Sequence, residues 1–346
     1  MESVFDVAVV GVGMGAAPHL RALHDLRAVY PLSWVCARDA QRLAAVSLPD
    51  GVRRTTRLDD ILQDPRVRAV LVLTPPAAHL DVVRQVAATG KHVLVEKPLE
   101  LDSVRARELV ACCEAAGVKL AVMLQYRLRE GAVRLRHLLR SGELGTLISA
   151  SAQVRWWRPQ SYYNEPGRGT LARDGGGVLM TQAIHTLDLL LSLIGPPQRI
   201  TGVVTTSALH TMECEDSASA LLHYPHGAVA TVQATTAAYP GYPERIEINA
   251  SGGTATLQAG CLQIAFADGR SEILGADSGN GGGADPMAFD HGPHRTNIQN
   301  FLDAVRDNRA PAVTGRSALA VHAVIEAIIA SSSRQGEPVT LAPDIA

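Results

Sequence analysis

The sequence predicts an α/β protein in which a helix-wrapped parallel sheet is followed by a second α/β part built on a large, mostly antiparallel open sheet. Three observations lead there. At 346 residues the chain is long for one hydrophobic core, which favours two domains. Residues 5 to about 124 alternate short apolar runs with segments of helical period. Beyond residue 145 the texture turns to closely spaced β-rich runs punctuated by turn signals. The expected division is residues 1–124 for the first domain and 125–346 for the second.

In the first part the strand candidates are FDVAVVG, LSWVCA, AVLVLT, HVLVEK and KLAVML. Between them PHLRALHDLRAV, DAQRLAAV, LDDILQD, HLDVVRQVAATG and LDSVRARELVACCEAAG place apolar residues at spacings of three and four, as amphipathic helices do. Parallel strands need crossover connections, so this alternation implies a parallel sheet covered on both faces. In the second part TLISASAQVRWW, RITGVVTTSAL, SASALLHYP, AVATVQATT, RIEINAS, ATLQA and CLQIAFA are separated by PHG, SGG and ADG among other gaps. Gaps of hairpin length favour antiparallel pairing. A buried helix, 178–194, interrupts them and stops at GPP, where proline cannot continue it. Residues 275–286, GADSGNGGGADP, are too glycine-rich to fold alone and read as a loop or flap. Two amphipathic helices, HRTNIQNFLDAVRDN and RSALAVHAVIEAIIASSSR, close the chain.

With 47% hydrophobic and 19% charged residues and a formal net charge of -2, the composition is that of a soluble globular protein. It carries no general positive field for nucleic acid or an anionic membrane. Cys36, Cys112, Cys113, Cys214 and Cys261 are scattered, without a C-x-x-C pair or ligand spacing, so reduced thiols and no metal site are expected. The N-terminal MESVFDVAVVGVG has no basic n-region and turns into glycines early, which speaks against a signal peptide or membrane span. No other run is long and apolar enough to span, and a cytoplasmic protein is expected.

The first strand runs into GVGMGAAPH, where Gly11, Gly13 and Ala16 fit G-x-G-x-x-G/A, with Met14 and Gly15 between them. Such a turn lets a pyrophosphate approach the free N–H groups at a helix N-terminus. About twenty residues on, an acid usually holds the adenosine ribose of NAD. Here Ala37 stands in that place and Arg38 follows. A guanidinium without a competing carboxylate suits a 2′-phosphate, so NADP(H) is favoured and NAD(H) stays possible. Alternatively Arg38 is a solvated charge and Asp39 a helix N-cap. VLTPPAAH ends a strand where a ligand crevice is expected, placing Thr74, Pro75 and His79 beside the cofactor; a plain turn is the other reading. HVLVEKPLELD then delivers Glu96 and Lys97 at a strand end, with Pro98 fixing the chain. A lysine that accepts a proton needs its pKa lowered from about 10.4 by burial or a nearby positive charge. Finally, DGGGVLMTQAIHTLD sets Thr181, His185 and Asp188 on one stripe of an otherwise apolar helix. A polar stripe on a buried helix needs partners.

GVGMGAA, TPPAAH, EKPLELD, SGELG and GGGVLMTQAIHTLDLLLSLIG, in that order, with the terminal FLDAVRDNRAPAVTG, resemble the glucose-fructose oxidoreductase / inositol dehydrogenase (Gfo/Idh/MocA) family over nearly the whole chain. The resemblance implies a Rossmann domain followed by an α/β domain whose open sheet binds substrate and often builds dimers or tetramers. It implies reversible hydride transfer between a nicotinamide and a hydroxyl-bearing carbon of a sugar, cyclitol or sugar derivative. On that pattern His185 faces the nicotinamide beside Lys97, and the two share proton transfer and orientation of the reacting hydroxyl.

One position departs from the pattern. Four residues before the histidine many relatives carry aspartate and others asparagine, in an N-Q-x-x-H version, whereas this chain has Thr181. Threonine is no general base near neutral pH, but its hydroxyl can donate and accept, and it is expected to reach His185 or a substrate oxygen. Relatives of the asparagine version include sugar-nucleotide 3-dehydrogenases, which keeps that substrate class open. A cofactor-binding regulator with the same fold and no chemistry is a further alternative, against which the presence of both Lys97 and His185 argues. The substrate side is expected from Tyr126 and Arg127 in QYRLRE and from Arg155, Arg158, Tyr162, Tyr163, Arg168 and Thr170 just before the catalytic helix. Arginines and aromatics at this density suit an oxygen-rich or anionic substrate, and equally a subunit interface. His291 and His294 in FDHGPH either enter the pocket from the neighbouring loop or, the commoner case, are surface-loop histidines.

Overall fold

A computed structural model describes residues 5–13, 15–275 and 290–342; Met14 and residues 276–289, with most of the glycine-rich 275–286 stretch, lie outside them. The chain forms two compact units. Val104–Gln125 and Asp290–Ala318 join the stretch up to Glu100 in the first, while Leu101–Ser103 and the stretches from Tyr126 and from Leu319 form the second.

The first unit is a six-stranded parallel sheet of β1 (Asp6–Val10), β2 (Leu32–Cys36), β3 (Arg53–Thr55), β4 (Val67–Val72), β5 (His92–Val95) and β6 (Leu120–Val122), in the order β3-β2-β1-β4-β5-β6. The order reverses between β1 and β4, the switch point at which doubly wound sheets bind ligands. Strands β1, β4, β5 and β6 are largely buried on both faces, hence their Val, Leu and Ala runs. The crossovers are α1 (Ala16–Leu26), α2 (Ala40–Ala45), α3 (Leu58–Leu62), α4 (His79–Ala88) and α5 (Ser103–Ala115). Strand β3 was not foreseen, because RRT buries only its threonine and makes no apolar run.

The second unit is a nine-stranded sheet of β7 (Leu147–Arg155), β8 (Arg199–Thr205), β9 (Ser217–His223), β10 (Val229–Thr235), β11 (Arg245–Ala250), β12 (Gly253–Gln258), β13 (Cys261–Phe266), β14 (Ser271–Leu274) and β15 (Val339–Thr340). The order is β14-β13-β12-β11-β7-β10-β9-β8-β15, and every pairing is antiparallel except β7 with β10. Ala150 and Ala152 of β7 line up with Ile248 and Ile246 of β11 on the buried face. Helix α6 (Glu130–Arg140) precedes the sheet; the short α7 (Gln160–Tyr163) and α8 (Leu171–Asp174) lead to α9 (Ile184–Ile194), which packs on β7 and β11. The helical stretch Leu171–Ile194 is long and apolar enough to cross a bilayer, contrary to the reading of the sequence, but 78% of its most apolar window is buried within the protein, as in a core helix.

Two helices end the chain, as foreseen, but they go to different units. α10 (Gly292–Arg306) lies against α1 and puts Ile298, Phe301 and Leu302 into the first core. The sheet face beside α1 needs that apolar cover, so a linear division at residue 124 does not describe the chain. α11 (Leu319–Ser333) covers β8, where Gly202 admits Ile328.

Candidate active site

At the end of β1, Gly11 has φ +107, and a Cβ there would lie 2.6 Å from the Leu73 carbonyl. The fold itself requires this glycine. Gly13 and Gly15 differ, since a Cβ on either meets nothing within 4 Å; their bare backbone opens onto free space in front of α1. That cradle fits a dinucleotide pyrophosphate, whose approach a side chain would block. Ala16 is buried at the first turn of α1. Ala37 follows β2 with its N–H on the Thr55 carbonyl, and Arg38 is exposed. Asp39 caps α2, accepting from the N–H groups of Gln41 and Arg42 at 2.9 and 3.0 Å. The carboxylate nearest the usual ribose position is thus committed to a helix.

At the end of β4, Pro75 leads into a single 3₁₀ turn, Pro76–Ala78. Thr74 Oγ1 is buried without a hydrogen-bond partner among the described residues, which suits a group awaiting a ligand. His79, expected beside the cofactor, is instead wholly enclosed at 0% exposure. Its ring nitrogens face the carbonyls of Thr74 and Leu99 at 2.8 and 3.2 Å, so it ties together the chain after β4 and the chain after β5. Burial pushes its pKa below the ordinary value.

Lys97 follows β5, where the Glu96 N–H donates to the Val72 carbonyl. The Lys97 N–H donates to Glu96 Oε2 at 2.8 Å, and the Lys97–Pro98 peptide is cis. Burial would raise the Glu96 carboxyl, but His19, Lys97 and His294 hold it down at about 2. Glu96 is therefore a fixed carboxylate that orients the lysine's backbone.

The run DGGGVLMTQAIH does not form one regular helix. Leu179–Ala183 is a π-helical turn that precedes α9, a wide turn often found at functional sites. The glycines prepare it. Gly175 ends α8 at φ 74, and a Cβ on Gly177 would collide with the Glu215 carbonyl at 1.8 Å. The Glu215 carboxylate, not singled out from the sequence, accepts from the N–H groups of Gly177 and Leu179, each at 3.1 Å. It satisfies donors that a buried helix start leaves open. Thr181 departs from expectation: its hydroxyl donates to the Gly177 carbonyl at 2.6 Å and also contacts the Gln182 amide oxygen. Gln182 in turn approaches Tyr162 Oη at 3.4 Å.

His185 lies in the first turn of α9 at 8% exposure, its ring stacked on Tyr126 with centroids 4.9 Å apart. Arg127 clasps Asp188 through Nε and Nη2, the Nε contact being 2.7 Å. The partner demanded by the polar stripe is thus an arginine from outside the helix, and Arg127 is engaged within the unit. Arg129 sits over Tyr126 at 3.5 Å and donates to Glu244 at 2.6 Å.

The segment 155–173 carries four arginines and one glutamate, and most are already engaged. Arg158 is buried, donating to the Trp157 carbonyl at 2.8 Å. Arg168 pairs with Glu165 and donates to Tyr162 Oη at 2.8 Å. Tyr163 Oη shares a hydrogen bond with Thr236, and Thr170 donates to the Gly167 carbonyl. Arg155 is exposed, 4.8 Å from the Tyr242 ring. His294, read as a surface-loop histidine, is instead buried on α10.

The family description "oxidoreductase family, NAD-binding Rossmann fold" matches residues 5–124, and the GFO/IDH/MocA C-terminal domain matches residues 132–256. D-apiose dehydrogenase of Paraburkholderia graminis is 27% identical over 350 residues, 97% of this chain and 90% of that one. Inositol 2-dehydrogenase 2 of Paenarthrobacter aurescens is also 27% identical, over 95% of this chain and 96% of that one. Among solved structures, the WlbA dehydrogenase of Bordetella pertussis in complex with NADH and UDP-GlcNAcA is similar with a TM-score of 0.82 and 27% identity, covering 99% of each chain. The glycine turn, the EKP strand end and the GGG-led helix are therefore shared features of a known lineage: this chain belongs to the Gfo/Idh/MocA oxidoreductase family.

Proposed function

We propose that this dehydrogenase moves a hydride between NADP(H), with NAD(H) as the weaker alternative, and a hydroxyl-bearing carbon of a small sugar, cyclitol or sugar derivative. The observation that carries the reading is Lys97, fixed at the end of β5 by the Glu96 carboxylate on the same parallel sheet as the glycine cradle. When bound, the nicotinamide supplies the hydride acceptor or donor. During oxidation Lys97 takes the proton of the substrate hydroxyl, and during reduction it returns it. His185, braced on Tyr126, is assigned the orientation of the substrate. Thr181, committed to Gly177, leaves Lys97 the principal proton-transfer residue. Relatives named for D-apiose and inositol support a polyhydroxylated substrate. Ala37, exposed Arg38 and the capping role of Asp39 support NADP(H).

A second substrate reading, a sugar nucleotide, is favoured by the likeness to WlbA with its UDP-GlcNAcA and by Gln182 and His185, which match the last positions of N-Q-x-x-H. Assembly as a homodimer or homotetramer in the cytoplasm completes the proposal. The sheet face turned away from α11 carries Thr201, Val203, Ser219, Leu221, Thr231 and Gln233, none of them charged, and offers a surface for self-association that sedimentation would detect. The test of function is a panel of sugars, cyclitols, sugar acids and nucleotide sugars with each cofactor, read by reduced-nicotinamide absorbance. Cofactor binding without turnover on any of them refutes the dehydrogenase reading in favour of a regulator.

A further inference from the structure

One cluster in the first unit is not explained by hydride transfer. His19 on α1, Glu96 after β5 and His294 on α10 are remote in sequence, yet a ligand atom from each lies within 4.8 Å of the others. The His19 and Glu96 side chains are 1% and 19% exposed, and His294 is 5% exposed. His19 Nδ1 is 2.9 Å from the Gly15 carbonyl oxygen, an atom that can only accept. Nδ1 therefore carries a hydrogen, and Nε2 is the ring atom that faces Glu96 Oε1, at 3.0 Å. A ring nitrogen and a carboxylate oxygen hold that distance only with positive charge between them, either a proton or a metal ion. A proton serves two atoms, whereas the second imidazole that α10 brings to the same point provides a metal ion with a third ligand.

We propose that His19 Nε2, Glu96 Oε1 and one ring nitrogen of His294 form a binding site for a divalent first-row transition ion of the zinc class. Two imidazoles and a carboxylate select such ions over calcium or magnesium. The outer contacts agree. His19 gives its other N–H to a backbone carbonyl, the usual partner of a ligating imidazole. Glu96 Oε2 is taken by the Lys97 N–H, leaving Oε1 for the ion. Gln125 lies 3.5 Å from His294 Nε2 and helps to orient that ring. Ligand atoms around tetrahedral zinc stand roughly 3.4 Å apart, so the widest pair here closes by on the order of 1 Å on binding. The nearby Lys97 charge, which acts on both Glu96 and His294, opposes the ion and keeps affinity below that of a four-ligand structural site. The partial exposure of Glu96 provides the entry path. Bound there, the ion ties α1, the chain after β5 and α10 to one another.

The inference does not depend on the substrate, and its test needs no turnover. The full chain, stripped with a chelator, is titrated with Co²⁺ and followed by visible d–d absorption, then challenged with Zn²⁺ and with Mg²⁺. We expect a single equivalent to bind at micromolar concentrations, Zn²⁺ but not Mg²⁺ to displace it, and Zn²⁺ to raise the melting temperature. His294→Gln and His19→Gln should each weaken Co²⁺ binding by at least about a hundredfold. Absence of a stoichiometric band in the unaltered protein, or His294→Gln protein that binds Co²⁺ as well as the parent, overturns the proposal and leaves a proton as the bridge.

Discussion

Replacing Asp188 with alanine tests what the polar stripe of α9 is for. The carboxylate is 1% exposed and its partner Arg127 10% exposed, with two guanidinium nitrogens on two carboxylate oxygens. Removing the acid leaves a buried guanidinium with no counter-charge, and Arg136, which donates to the Arg127 carbonyl at 3.1 Å, adds repulsion. Breaking a buried pair in this way costs about 3–5 kcal/mol. For a unit of this size each kcal/mol lowers the melting temperature by roughly 2–4 °C, so a fall of about 6–20 °C is expected by calorimetry. Replacing both partners, Arg127→Met with Asp188→Leu, removes the stranded charge and should recover most of the loss. Turnover should follow stability, because Arg127 adjoins Tyr126, on which the His185 ring rests. A single variant that loses less than about 1 kcal/mol, or a folded double variant with no activity, refutes a structural role and makes Asp188 part of the chemistry.

Lys97→Ala should lower turnover by about 10²–10⁴-fold with cofactor affinity within a few-fold; near-parental turnover would place the proton transfer elsewhere. Arg38→Ala should weaken NADP(H) and spare NAD(H) in fluorescence titrations, and parallel losses would show that the arginine does not read the 2′-phosphate. Asp64 accepts from Arg66, Trp34 and Arg53, and Arg66 above all holds its carboxyl below the usual carboxylate range. A lowered folded-state pKa contributes stability above the unfolded value of about 3.9 and loses it as pH falls below that. Asp64→Asn should therefore be less stable than the parent at pH 7, with the gap closing in acid; a constant gap excludes the carboxylate as its source. Thr181→Val should change turnover only slightly, since the hydroxyl is engaged by Gly177, and a large loss would restore its expected catalytic role.

What the sequence disclosed and what it concealed divide along a physical line. Apolar runs at β1, β4 and β5, glycines at Gly11 and Gly177, and the proline after Lys97 are local constraints, visible wherever one residue type alone satisfies the backbone. Strands β3, β14 and β15 are short, and none carries an apolar run. The π turn was equally hidden, because apolar spacing reports which face is buried and not whether the hydrogen bonds close to the fourth or fifth residue. Its supports are Glu215, which stands 36 residues from Leu179, and a glycine that admits the Glu215 backbone. The stripe of Thr181, His185 and Asp188 was therefore identified correctly as polar but not as three separate functions. Thr181 closes a turn, His185 rests on an aromatic ring, and Asp188 neutralises an arginine 61 residues away. His294 fails to announce itself for the same reason. Nothing in FDHGPH marks a buried residue; the ring is enclosed because Ile298, Phe301 and Leu302, further along the same helix, anchor α10 in a core whose strands were made almost three hundred residues earlier.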